Sequence, residues 1–163
     1  MKSLAAPWDV ASDGRQAPLA REICRGVGRT LQAYGFAPLG EVTLANGRRA
    51  DVIGLSAAAE IWIVEIKSSA EDFRTDQKWP EYRAFCDRFF FAVSPTFPRQ
   101  VLPADTGLLV ADRYGGEIVR AAPEHRLAGA RRRALTLQLA RTAALRLNGV
   151  LDPEHVAPSL SRA

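Results

Sequence analysis

Histidine, cysteine and lysine are scarce: the 163 residues hold two, two and three of them. Cys24 and Cys86 stand far apart, outside any CxxC or Cys/His cluster. A disulfide scaffold or a structural zinc is not expected; two reduced, buried thiols are. His125 and His155 are isolated and fit no triad or ligand pattern. No Walker, GxSxG or dinucleotide fingerprint occurs, and the Gly115-Gly116-Glu117 stretch reads as a turn. No run of about 18 apolar residues is present, so no membrane span is expected. The N-terminus has no sustained apolar core of the kind a signal peptide needs, so a cytoplasmic address is expected.

What is present is an ordinary globular composition, 47% hydrophobic and 25% charged, which excludes the disordered and collagen-like classes. The length suits one domain. Net charge is +4, with arginine far ahead of Lys2, Lys67 and Lys78. Guanidinium suits phosphate through bidentate contacts. A modest positive charge is also common in proteins that never meet nucleic acid.

Residues 1–16 show no period and read as a mobile lead-in, followed by a domain over 17–148 and a frayed tail over 149–163. Apolar residues at 19, 20, 23, 27, 31 and 34 predict a helix over 18–34, stopped at Gly35. Strands are expected at 39–45, 48–55 and 60–68, the first two joined by Asn46-Gly47 as a two-residue type I′ hairpin. A helix at 80–87, preceded by a turn near 70–75, would then cross over to a buried parallel strand, 89–94. Strands at 107–113 and 117–122 and a long helix over 124–148 complete an α/β (α+β) arrangement, a mixed β-sheet flanked by helices.

The third strand, EIWIVEIKS, ends on Glu65 and Lys67, which share a face because strand side chains repeat every two residues. If the turn before it centres on residue 58, Asp51 lies directly across from Glu65. Two carboxylates and a lysine thus meet at one end of the sheet. Paired carboxylates repel unless a cation offsets them. Mg²⁺ or Mn²⁺, which accepts one or two carboxylates plus waters and phosphate oxygens, is the cofactor this pattern suits. Asp51, Glu65 and the Ile66 carbonyl are the candidate ligands, and Lys67 would steady the attacking water. The alternative for the same residues is a surface ion-pair cluster at a strand end.

Asp51…Glu65-Ile66-Lys67 resembles the D…(D/E)xK signature of the PD-(D/E)xK nuclease superfamily. The longer string GRRADVIGL…EIWIVEIKSSAEDFRTDQKWPEYRAFCDRFFFAV resembles the MmcB family of bacterial DNA repair endonucleases, over about residues 18–145. The superfamily's eponymous proline is Ala50 here. The resemblance implies a restriction-endonuclease-like fold, a metal-dependent phosphodiester hydrolase acting on DNA, and a nucleoid-associated place in the cell. It also implies possible partners among other repair proteins and a homodimer, for which Trp62 or the 95–103 connector would serve. Superfamily members often direct a third acid from the first helix, which makes Glu22 the candidate; Glu41, on the first strand, ranks below it. Gln77 and Tyr82 are candidates for a Gln/Tyr pair found in some relatives.

Two segments are open to two readings. In EDFRTDQKWPEY, Arg74, Gln77 and Lys78 could grip phosphate while Trp79 or Tyr82 stacks on a base, or the stretch could be a solvated cap on the next helix with Trp79 on the core. The Arg131-Arg132-Arg133 run is either a solvated helix face or a nonspecific backbone grip. For the whole chain, the alternative to a nuclease is a catalytically silent DNA-binding or docking subunit of a repair complex.

Overall fold

A computed structural model describes residues 17–154. The first helix, α1 (Ala17–Ala33), buries Ala20, Ile23, Cys24, Val27 and Leu31 while Arg21, Glu22, Arg25 and Arg29 stay exposed. Each large aliphatic side chain removed from water contributes roughly 1.5–3 kcal/mol. The helix ends where Gly35 takes φ +82°, with its N–H donated to Gln32 O.

Six strands follow: β1 (Phe36–Thr43), β2 (Arg49–Ser56), β3 (Ile61–Ile66), β4 (Arg88–Val93), β5 (Gly107–Ala111) and β6 (Gly116–Arg120). They form one sheet in sequence order. β1, β2 and β3 make an antiparallel meander; β3–β4 and β4–β5 pair parallel; β5–β6 closes antiparallel. The β3-to-β4 crossover carries α2 (Ala70–Thr75) and a 3-10 helix over Trp79–Phe85. A long helix, α3 (Gly129–Leu151), ends the described chain.

Two cores lie on the two faces of the sheet. α1 covers Val52, Trp62, Val64 and Phe90. The crossover and the first half of α3 cover Ile53, Ile61, Ile63, Phe89 and Phe91, with Phe73, Tyr82, Leu135 and Leu139 packed in. β3 serves both cores in strict alternation, so its sequence is almost continuously apolar until Glu65.

Several boundaries differ from the expected ones, each for a local reason. The stretch near 70–75 is a true α-helix because Ser69 caps it, accepting from Asp72 N. The expected helix at 80–87 is the 3-10 segment. The last helix starts at 129, not 124, because residues 125–127 are tied to Asp87. That buried carboxylate accepts from Ile61 N, Leu127 N and two guanidinium nitrogens of Arg132, while Asp87 O takes His125 N. α3 also runs past 148 to Leu151. His155, the lead-in and the end of the tail lie outside the described residues.

The 44–48 hairpin is not a two-residue type I′ turn. Gly47 has φ +80° but Asn46 does not enter the positive-φ region. Leu44 pairs with Arg48 and Gly47 N donates to Leu44 O, so residues 45–47 form a three-residue loop with Gly in the left-handed position. One residue more in the loop shifts the β1–β2 register by one. Glu41 then stands opposite Asp51, between the pairs Gly40–Val52 and Val42–Ala50. At this point the ladder is interrupted: Glu41 has φ +53°. Facing also slips by one there, since Leu39 and Val42, three apart, contribute to the same core, as do Ala50 and Ile53.

Candidate metal-binding acid pair

β3 delivers the centre of the site. Its register with β2 runs Leu55–Ile61, Gly54–Trp62, Ile53–Ile63 and Val52–Val64, and the next step sets Asp51 across from Glu65, as the hairpin spacing predicts. Asp51 continues the ladder with its side chain: Oδ2 accepts from Ile66 N at 2.7 Å. Parallel pairing with β4 holds the other side of β3, where Lys67 N donates to Ala92 O.

Glu65 is 5% exposed and Lys67 2%. Lys67 Nζ is shared among three carboxylates: 3.0 Å from Asp76 Oδ2, 3.9 Å from Glu65 Oε1 and 4.0 Å from Asp72 Oδ1. Its hydrogen bond goes to Asp76. Glu65 Oε2 is buried with no hydrogen-bond partner among the described residues, an arrangement costing about 1–3 kcal/mol when nothing fills it.

The electrostatics follow from this shortage of cations. Burial, then the Asp51 charge, raises the Glu65 carboxyl well above its usual range, against the pull of Lys67. Burial also pushes Asp51 up to about 7; the Ile66 N–H and Lys67 hold it down, while Glu41 and Asp72 add to the rise. Asp51 keeps part of its surface open to solvent. For Lys67, burial acts to lower the pKa, but Glu65, Asp76 and Asp72 outweigh it and the ammonium is retained. Burial acts to raise Asp76, yet its bond to Lys67 wins and the carboxyl titrates low.

The remaining candidates are placed as follows. Glu22 is exposed on α1 and is not among the leading charges on Asp51 or Glu65. Glu41, ranked below it from the sequence, is the acid that the hairpin register brings to Asp51. Its carboxylate meets Arg49 Nε at 2.6 Å. Arg74 and Lys78 are exposed. Gln77 donates from Nε2 to Phe73 O at 2.5 Å, closing the end of α2. Trp79 is partly buried, stacked on Phe89 with centroids 5.8 Å apart. Tyr82 is buried, parallel to Phe89, and donates its hydroxyl to Arg49 O. Tyr82 belongs to the core, and Trp79 packs against it from a partly buried position. Trp62, proposed for an interface, packs inside against Phe36 and Phe90. In the arginine run, Arg132 is bound to Asp87, Arg131 lies over the Phe85 ring and donates to Ala84 O, and Arg133 is exposed. Both cysteines are free and buried, their thiols pushed up to about 12 chiefly by burial.

Asp72 and Asp76 were not singled out as part of the site from sequence. The signal was there: Ser68-Ser69 followed by Asp72 is a capping pattern, which winds one turn of helix above the strand end. Asp72 Oδ2 takes the Ser68 N–H and hydroxyl, and Asp76, at the helix C-cap, reaches Lys67.

A divalent cation fits this arrangement. The donors are hard oxygens, one of them buried and unmatched, and two carboxylates are what Mg²⁺ or Mn²⁺ accepts alongside waters and phosphate. Among the described residues no group of three acids, histidines or cysteines forms a ready-made cage.

Residues 8–154 match the family described as DNA repair protein MmcB-like. A solved structure of a protein of unknown function from Silicibacter pomeroyi is 47% identical with a TM-score of 0.83. The match covers 87% of this chain and 97% of that one. No curated protein matches. No helix among the described residues is long and apolar enough to cross a membrane.

Proposed function

The chain belongs to the MmcB-like family of DNA repair proteins, and from that membership and the acid pair we propose a metal-dependent DNA endonuclease that hydrolyses phosphodiester bonds. The observation that carries the proposal is Glu65: a buried carboxylate with an unmatched oxygen beside Asp51, near a lysine that is drawn to Asp76. Such a concentration of negative charge repels DNA unless a cation comes between them.

Asp51 and Glu65, with the Ile66 carbonyl, would hold Mg²⁺ or Mn²⁺. When bound, the ion supplies Lewis-acid charge neutralisation at the phosphate and acidifies a water. The chain's own residues do the rest. The Ile66 N–H fixes one Asp51 oxygen and leaves the other for a ligand. Burial keeps Lys67 rigid, with Nζ near Glu65 Oε1, where it orients a water and opposes charge building on the phosphate. Asp72 and Asp76 hold Lys67 charged and in place. Arg74 and Lys78, exposed just beyond, give the phosphate backbone its grip.

The test is titration calorimetry of Mn²⁺ into wild type and Glu65→Gln, beside a nicking assay on plasmid and single-stranded DNA with wild type and Asp51→Asn. Wild type should bind the ion and nick DNA, Glu65→Gln should lose binding, and Asp51→Asn should fold but not cut. Undiminished cutting by Asp51→Asn would sink the mechanism. Salt-sensitive DNA binding indifferent to metal would favour a silent binding module.

A further inference from the structure

The guanidinium of Arg146, near the far end of α3, reaches back to β1. Its Nη1 donates to Gly40 O and its Nη2 to Glu41 O, the latter at 2.7 Å. In a regular strand, successive carbonyls point in opposite directions. Here two neighbours accept from one planar fork, an arrangement made available by the left-handed Glu41 between them, φ +53°. Glutamate does not favour that conformation, so something must hold it. Arg146 suits the task because its paired N–H groups are parallel and rigid.

The same kink interrupts the β1–β2 ladder opposite Asp51, and the register on either side sets Glu41 across from Asp51. Arg49 engages that carboxylate from the half-exposed side.

We infer that Arg146 is a long-range positioning residue: by fastening the left-handed turn at Glu41, it holds a third carboxylate beside the Asp51/Glu65 pair and thereby strengthens the site's affinity for a divalent cation. This rests on the cation-binding reading above. Glu41 acts from the outer layer, through its charge and through waters on the ion. Arg146 acts only through Glu41.

The experiment is a four-way cycle on the full chain: Mn²⁺ titration calorimetry of wild type, Glu41→Gln, Arg146→Met and the double variant, with melting temperatures recorded for each. Loss of an outer partner typically weakens a metal about 10-fold or more. Glu41→Gln and Arg146→Met should each weaken binding by roughly that factor, and the double variant should be no weaker than Glu41→Gln alone. Should Arg146→Met fail to fold, Arg146→Lys replaces it in the cycle: a single ammonium cannot span both carbonyls and should not restore affinity. Unchanged affinity in Glu41→Gln, or a lower melting temperature for the arginine variant with no change in affinity, overturns the inference and leaves the acid pair standing. Strictly additive losses also overturn it, since Arg146 would then act by another route. Absence of Mn²⁺ binding by wild type removes the reading of the pair itself, and this inference with it.

Discussion

Glu65→Gln should make the metal-free protein more stable. The wild-type carboxylate is buried, one of its oxygens has no partner, and Asp51 repels it. An amide of nearly the same shape removes the charge and keeps the packing, and Lys67 keeps its bond to Asp76. Relief of an unsatisfied buried charge is worth about 1–3 kcal/mol. For a chain of this length that moves the melting temperature by roughly 2–12 °C. Calorimetric melts in EDTA at pH 7.5 read this directly. The pH dependence has a definite sign. A carboxyl whose folded pKa is raised binds more protons in the folded state, so wild-type stability falls as pH rises from the unfolded value through the folded one. For Asp51 that window runs from about 4 to about 7; Glu65 moves in the same direction. The advantage of Glu65→Gln should therefore shrink as pH falls toward 4. Added Mn²⁺ should raise the wild-type melting temperature and leave the variant's unchanged. A variant that melts lower than wild type in EDTA at pH 7.5, with an unaltered pH profile, refutes the account of Glu65 as an unmatched charge.

Asp87→Asn should cost about 2–4 kcal/mol in urea denaturation, because the buried acid collects two backbone N–H groups and both Arg132 nitrogens. Burial acts to raise this acid but Arg132 wins and its pKa is lowered, so its contribution is present above the unfolded value and lost as pH falls through the folded one; the asparagine variant should lack that acid-side loss. Tyr82→Phe should lose about 1 kcal/mol of stability with its bond to Arg49 O, and DNA affinity in a filter-binding assay should not change.

The Asp51–Glu65 juxtaposition was legible because it needs only the centre of one turn and a period of two. The meander, the parallel crossover to the fourth strand and the flanking helices were legible for similar reasons: the first loops were short and the segment between β3 and β4 was long enough to cross over, whereas the places of β5 and β6 in the order carried no such signal. Glu41 was misplaced by a single residue of loop length, since Asn46-Gly47 supports a two-residue or a three-residue hairpin and the two choices turn position 41 toward or away from Asp51. Trp79 and Tyr82 were left open between substrate and core because a polar, aromatic stretch after a strand does not show which way a 3-10 helix will turn its rings. Within the arginine run, Arg131 and Arg133 are exposed as the solvated-face reading expects, but Arg132 escapes both readings because the partner that fixes it, Asp87, lies 45 residues earlier. Arg146 carried no local signal, its acceptors being backbone carbonyls about a hundred residues away.

Open sheets have two rims, and a rim with spare carbonyls invites an incoming strand. On β1 that invitation is withdrawn: Gln138 takes Thr43 O and Arg146 takes Gly40 O and Glu41 O, so α3 lies along the rim like a hem. Strand addition is thereby opposed along the Gly40–Thr43 half of β1. β6 forms the opposite rim and carries Glu117 and Val119 outward. Glu65 on β3 lies three strand spacings, about 14 Å, inward from there, and Asp51 on β2 lies one spacing farther, so a partner joined at β6 leaves the pair uncovered.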